Sequence, residues 1–271
     1  MKTKLLRITL IVTGLVCITA FTDRPVTLFL IGDSTMANKD TTKGSPERGW
    51  GMVLHEYFTD DVRIENHAVN GRSSKSFLDE GRWEKVRRRI QPGDYVLIQF
   101  GHNDEKDDPR RHTSVGSTFD ANLRLYIRQT REQGGIPVLF NSVVRRNFLV
   151  HHDSSIDDES LRNTTYQDEV ITSDTLVDTH GQYAEVPRMI ARELNVPFVD
   201  AQRITHDLEQ QLGVEGSRRL HVWYRRGEHP ALPEGRQDNT HYNVFGAHEV
   251  ARLLSSELAI QVPALAPYIK R

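Results

Sequence analysis

A hydroxyl, an imidazole and a carboxylate that could together carry out acyl transfer stand near the two ends of this chain. An apolar run over 26–31 leads into Gly32-Asp33-Ser34-Thr35, and far downstream Asp238-Asn239-Thr240-His241 precedes an amphipathic stretch. A serine hydroxyl is a poor nucleophile until a base takes its proton, and the base must itself be oriented. The spacing of three lets the Asp238 carboxylate fold back in a turn towards Nδ1 of His241, which leaves Nε2 for Ser34. Two further motifs, Asn70-Gly71-Arg72 and Gly101-His102-Asn103-Asp104, each follow an apolar run. They supply a glycine backbone N–H and an amide side chain, donors of the kind that stabilise an oxygen as it becomes negative. Each fragment alone reads equally well as a turn or a helix cap. In this order they point to Ser34, Asp238 and His241 as a catalytic set, with the Gly71 N–H and the Asn103 amide as donors beside the nucleophile.

For these residues to meet, the elements between them must deliver every motif to one edge. Short runs rich in β-branched and aromatic residues predict strands over 26–31, 62–69, 95–100, 136–140 and 197–199. Amphipathic stretches predict helices over 51–58, 76–90, 119–133, 183–194 and 244–260. Strand followed by helix, repeated, implies a mostly parallel sheet with helices on both faces. Five strands suit a flavodoxin-like three-layer α/β/α sandwich, in which ligands bind outside the carboxyl ends of the strands. Two segments break the rhythm. Residues 147–179 are polar and acidic, with Asp157, Asp158 and Glu159 in a row, and are long for a connection, so they read as a functional or partly helical excursion. Residues 220–237 carry aromatics, arginines and two prolines just before Asp238. Neither resembles a linker, and there is no internal repeat.

The chain has 271 residues, 37% hydrophobic and 27% charged, which suits one α/β domain over 21–271. A formal net charge of -2 provides no overall field for nucleic acid or a membrane surface, and a monomer is expected. Lys2, Lys4 and Arg7 precede an apolar run over 8–20, the arrangement of a secretory signal peptide over 1–20. That run is too short to span a bilayer comfortably, so the expectation is a secreted or periplasmic protein with no stable membrane insertion after cleavage. Cys17 is the only cysteine, so the mature chain would have no thiol nucleophile and no cysteine metal site. His151, His152, His206, His221, His229 and His248 show no helical metal-ligand spacing with an intervening acid, and no metal or other cofactor is expected.

The blocks IGDSTMA, GWGMVL, NHAVNGRSSKSF, VLIQFGHNDEK and DNTHYNVFGAHEVA resemble those of the SGNH/GDSL hydrolases, and in detail the rhamnogalacturonan acetylesterase branch. The resemblance spans nearly all of the mature chain. It implies a flavodoxin-like fold and a cofactor-free esterase that removes acetyl groups from pectic polysaccharide. Ser34 would then be nucleophile, His241 general base and then acid, and Asp238 the orienting carboxylate, with Ser34, Gly71 and Asn103 as the oxyanion hole. The acidic excursion and the arginine-rich segment before Asp238 depart from the pattern and bear on sugar specificity.

An acidic, acetylated polysaccharide calls for cations near the catalytic edge. Arg145 and Arg146 follow the fourth strand, and Arg225 and Arg226 come shortly before Asp238. Trp223 and Tyr224 could stack on a sugar ring, and His102 either contacts the acyl group or braces its loop. His102, Arg145, Trp223 and Arg225 are therefore the candidate substrate contacts. Other readings are another SGNH esterase (an acetylxylan esterase or a lipase/thioesterase), a non-catalytic carbohydrate-binding protein on the same scaffold, and a metal-dependent phosphoesterase. The polar loops at this edge favour a small acyl group over a long one.

Overall fold

A computed structural model describes residues 24–148 and 173–270. The expected signal peptide over 1–20 and most of the acidic excursion over 147–179 lie outside the described residues. The two ends of that excursion come back together, with the Val177 N–H donating to Asn147 O at 2.8 Å.

The central sheet contains β1 (Val26–Gly32), β3 (Val62–Asn66), β4 (Tyr95–Gln99), β5 (Ile136–Phe140) and β6 (Phe198–Val199), ordered β3-β1-β4-β5-β6 with every pair parallel. This is the flavodoxin-like order, and the chain reverses direction between β1 and β4. Side chains alternate across the sheet as strand geometry requires. Leu28 and Leu30 of β1 join one core with Trp50, Val250, Leu254 and Leu258. Phe29 and Ile31 face the other with Phe119, Leu123, Tyr126 and Ile190. The first face is covered by α1 (Trp50–Val53) and the last helix, α7 (Val244–Gln261); the second by α4 (Thr118–Glu132) and α5 (Gln182–Leu194).

Several elements differ from the sequence expectation. The single helix expected over 76–90 is two short ones, α2 (Ser74–Asp79) and α3 (Arg82–Arg87), because Gly81 takes a left-handed φ of 66° between them. The helix expected over 51–58 closes in a 3-10 turn, Leu54–Tyr57. A helix absent from the sequence reading, α6 (Ala201–Ser217), follows β6; Gly213 kinks it with φ 67° and ψ -174°. A second, three-stranded antiparallel sheet was also not legible: β2 (Glu47–Arg48), β8 (Arg236–Asn243) and β7 (His221–Tyr224), ordered β2-β8-β7. No helix of the described residues is long and apolar enough to cross a membrane.

Candidate active site

Ser34 follows β1 in a tight turn in which Asp33 O accepts the N–H groups of Met36 and Ala37 at 3.3 and 3.1 Å. The Asp33 carboxylate points inward and accepts both the N–H and the hydroxyl of Thr35. Burial pushes the Asp33 carboxyl up, against the pull of those Thr35 donors. Thr35 also accepts from the Gln99 side chain at the end of β4, so the turn is tied to the neighbouring strand.

Asp238 and His241 stand inside β8 and not in a plain turn ahead of the last helix. His221 pairs with Tyr242, yet Trp223 pairs with Gln237, so β8 advances five residues where β7 advances two. The three extra residues bulge out of the ladder, and bulges re-aim side chains beside active sites. Within this bulge Asp238 Oδ1 accepts the N–H of Thr240 at 3.0 Å and of His241 at 2.8 Å, which folds the carboxylate back onto the imidazole. Nδ1 of His241 lies 3.0 Å from both carboxylate oxygens. The bulge is anchored from beyond: Asn243 caps α7 by accepting from the Gly246 N–H, and its amide donates to Arg219 O and His221 O. Gly246 is required there, since a Cβ would stand 1.9 Å from Leu220 O.

The two ends of the chain meet. Nε2 of His241 is 2.8 Å from Oγ of Ser34, and all three side chains are buried. Because Nδ1 faces a carboxylate, it carries the proton in the neutral ring, and Nε2 is free to receive one from the hydroxyl. Gly71 takes φ 72°, a left-handed conformation natural to glycine, and it lines the same cavity as Ser34, Asn103 and His241. Asn103 is held at both ends of its amide, accepting from Arg111 Nη1 at 3.4 Å and donating to Arg72 O at 3.2 Å. One hydrogen of that NH₂ group remains available beyond the bond to Arg72. This arrangement can activate a hydroxyl and receive an oxyanion. Among the described residues no group of three or more His, Cys, Asp or Glu is gathered as a metal site would need.

The cavity holds about 710 Å³ and sits at the β1/β4 switch point of the sheet. Of the expected substrate contacts, His102 and Arg145 line it, and Trp223 and Arg225 do not. Trp223 is committed elsewhere: its Nε1 donates to Asn239 Oδ1 at 2.8 Å and its ring lies under the guanidinium groups of Arg146 and Arg218. Arg225 lies exposed in the β7–β8 connection, with its backbone N–H on Glu228. Arg146 is buried, bonded to Ser217, Asn239 and Val214 O, and so stabilises the bulge from below. Arg145, itself buried, forms an ion pair with the half-buried Glu105 and donates to His102 O at 3.2 Å. Burial alone would raise the Glu105 carboxyl, but His180 and Arg145 beside it hold it at about 2. The cationic lining comes instead from Arg72, Lys75, Lys106, Arg110 and Arg111, which together with Arg145 face three carboxylates, Asp79, Glu80 and Asp108. Three of these, Lys106, Arg110 and Arg111, come from the segment directly after Asn103, and the charge-dense stretch Glu105-Lys106-Asp107-Asp108-Pro109-Arg110-Arg111 was the available signal.

The profile of the GDSL-like lipase/acylhydrolase family matches residues 30–244, which takes in Ser34, Gly71, Asn103 and the Asp238/His241 bulge. The chain belongs to that family. It is a carboxylic ester hydrolase, and this GDSL hydrolase is 39% identical over 232 residues to rhamnogalacturonan acetylesterase RhgT of Bacillus subtilis (strain 168), covering 86% of this chain and 89% of RhgT. Among solved structures, it resembles protein YxiM of Bacillus subtilis (TM-score 0.65, 24% identity), covering 89% of this chain and 58% of that one. It also resembles a catalytic mutant of Axe2, an acetylxylan esterase from Geobacillus stearothermophilus (TM-score 0.53, 19% identity), covering 88% of this chain and 96% of that one. At these identities the two structures speak for the GDSL hydrolase fold alone.

Proposed function

We propose that this hydrolase is an extracytoplasmic carbohydrate esterase that removes O-acetyl groups from an acidic pectic polysaccharide of the rhamnogalacturonan type. In this reading it works as a single domain over 21–271 and as a monomer once residues 1–20 have been cleaved. The observation that carries the chemistry is the continuous relay from Ser34 Oγ through His241 to Asp238, with contacts of 2.8 and 3.0 Å. Ser34 attacks the acetyl carbonyl while Nε2 of His241 takes its proton. The N–H groups of Ser34 and Gly71 and the amide of Asn103 receive the oxyanion. His241 then returns the proton to the departing sugar oxygen, and water enters by the same route to release acetate. Asp238 holds the imidazole in the required tautomer and stabilises it when it is charged.

Two observations favour an acidic sugar polymer over a lipid. Among the described residues the lining of the cavity is rich in charge, with six cations against three carboxylates, a balance that favours a polyanion, and Pro109 is its one residue with a purely apolar side chain. The similarity to RhgT, over most of both chains, supports the same substrate class. The test is acetate release from acetylated rhamnogalacturonan, acetylated xylan and a series of 4-nitrophenyl esters of increasing chain length. The expected order places rhamnogalacturonan first and short acyl groups above long ones, with all activity lost in Ser34→Ala. Preference for xylan, or for long acyl chains, would overturn the assignment of substrate; full activity in Ser34→Ala would overturn the mechanism.

A further inference from the structure

His102 is a buried imidazole in the wall of the cavity, 3% exposed, beside Ser34, Asn103 and His241. Neither of its ring nitrogens has a hydrogen-bond partner among the described residues, and neither reaches solvent. Buried polar atoms in folded proteins are almost always paired, so two orphans on one ring next to a reaction centre require an explanation. The backbone here is not loose: His102 O accepts from Arg145 Nη2 at 3.2 Å, and Arg145 is itself held by Glu105. The ring meets the edge of His180, with centroids 4.5 Å apart at 84°. A turn of the His102 ring towards the cavity breaks no hydrogen bond, because the ring makes none.

We propose that His102 hydrogen-bonds a free hydroxyl on the sugar carbon next to the acetylated one, and so selects leaving groups that carry such a hydroxyl. This deepens the esterase reading given above and rests on it. The chemistry narrows the partner. Burial first, and then the guanidinium of Arg145 and the ammonium of Lys106 nearby, drive the His102 imidazole well below its usual range, so the ring is neutral. A neutral imidazole presents one donor and one acceptor. The acetyl methyl would satisfy neither nitrogen, and a carboxylate would satisfy only the donor. A hydroxyl can accept from one tautomer or donate to the other. A site built to bond a hydroxyl rejects an analogue lacking it, because its buried polar atoms are then stranded.

The test is a cycle between protein and substrate. kcat/KM is measured on a mono-O-acetylated methyl pyranoside with a free vicinal hydroxyl and on its deoxy analogue, for the wild type and for His102→Phe. The wild type should prefer the hydroxyl-bearing ester by roughly 10- to 100-fold, and the preference should collapse to about 1 in His102→Phe. His102→Gln, which keeps a donor and an acceptor, should restore part of it. A wild-type ratio of about 1, or an undiminished ratio in His102→Phe, overturns the inference. Should the phenylalanine variant not fold, His102→Leu and the wild-type ratio carry the same decision. Hydrolysis of 4-nitrophenyl acetate by the wild type, abolished in Ser34→Ala, tests the esterase reading separately, since that ester has no vicinal hydroxyl.

Discussion

Replacing Asp238 by Asn changes one atom and should silence the site without unfolding it. In the wild type Oδ1 of Asp238 accepts two backbone N–H groups, and both carboxylate oxygens stand 3.0 Å from Nδ1 of His241. An asparagine oxygen can still accept the N–H groups of Thr240 and His241, so the bulge in β8 keeps its shape. The amide NH₂ then replaces the second oxygen and turns its hydrogens towards Nδ1, which must become the acceptor. The imidazole proton moves to Nε2, which faces Ser34 Oγ at 2.8 Å and can no longer take its proton. Loss of the correct tautomer lowers kcat by about ten-thousandfold in serine hydrolases with this geometry. That corresponds to about 5.5 kcal/mol in the activation barrier. The assay is steady-state hydrolysis of 4-nitrophenyl acetate, beside thermal unfolding of the same preparation. A loss below about tenfold, with the melting temperature of the wild type retained, would refute the assignment of Asp238 as the orienting group.

Three further outcomes follow from the same geometry. Arg145→Ala leaves the half-buried Glu105 carboxylate with His180 but without its guanidinium, and should destabilise by about 1–3 kcal/mol, lowering Tm by roughly 2–12 °C; Arg225→Ala, exposed, should change stability by no more than about 0.5 kcal/mol. Asp104 is buried under Ser74 and Thr113, and burial raises its carboxyl from 3.8 to about 7 against the pull of their hydrogen bonds. The folded state then holds this proton where the unfolded chain has released it, so the contribution is favourable at low pH and is lost as pH rises from about 4 to about 7. Thermal unfolding should therefore show the wild type losing stability relative to Asp104→Asn across that window, and parallel profiles would contradict it. Lys106→Ala should raise KM on a polyanionic acetylated substrate by roughly 3- to 20-fold at low salt, with the difference shrinking at high ionic strength and a neutral ester spared.

The parallel sheet was legible because its strands are short apolar runs, and three of the five are followed by the motifs built on Ser34, Gly71 and Asn103. What escaped had a weak or misleading local signal. The stretch over 76–90 has one helical periodicity, yet Gly81 at φ 66° splits it. Helix Ala201–Ser217 contains Gly213 and Gly216 and a diluted apolar stripe, so its pattern does not stand out. The small antiparallel sheet depends on pairing between β7 and β8 that a bulge throws out of register, and no single-strand pattern announces it. Arg145 and Arg146 follow β5 closely, where a guanidinium is stable only when paired, so Arg145 lines the cavity while held by Glu105 and Arg146 is tied up beneath the bulge in β8. Of the other cations that line the cavity, Lys106, Arg110 and Arg111 stand on the loop after Asn103, and Arg72 and Lys75 at the start of α2.

The site of covalent capture tests most directly whether Ser34 is the nucleophile. The protein is treated with an arylsulfonyl fluoride, digested and examined by mass spectrometry, with His241→Ala as the control. One sulfonyl adduct is expected, on the peptide carrying Ser34, with strongly reduced labelling in the control, since the imidazole 2.8 Å away activates that hydroxyl. Labelling at another serine, or equal labelling of Ser34 in His241→Ala, would contradict it.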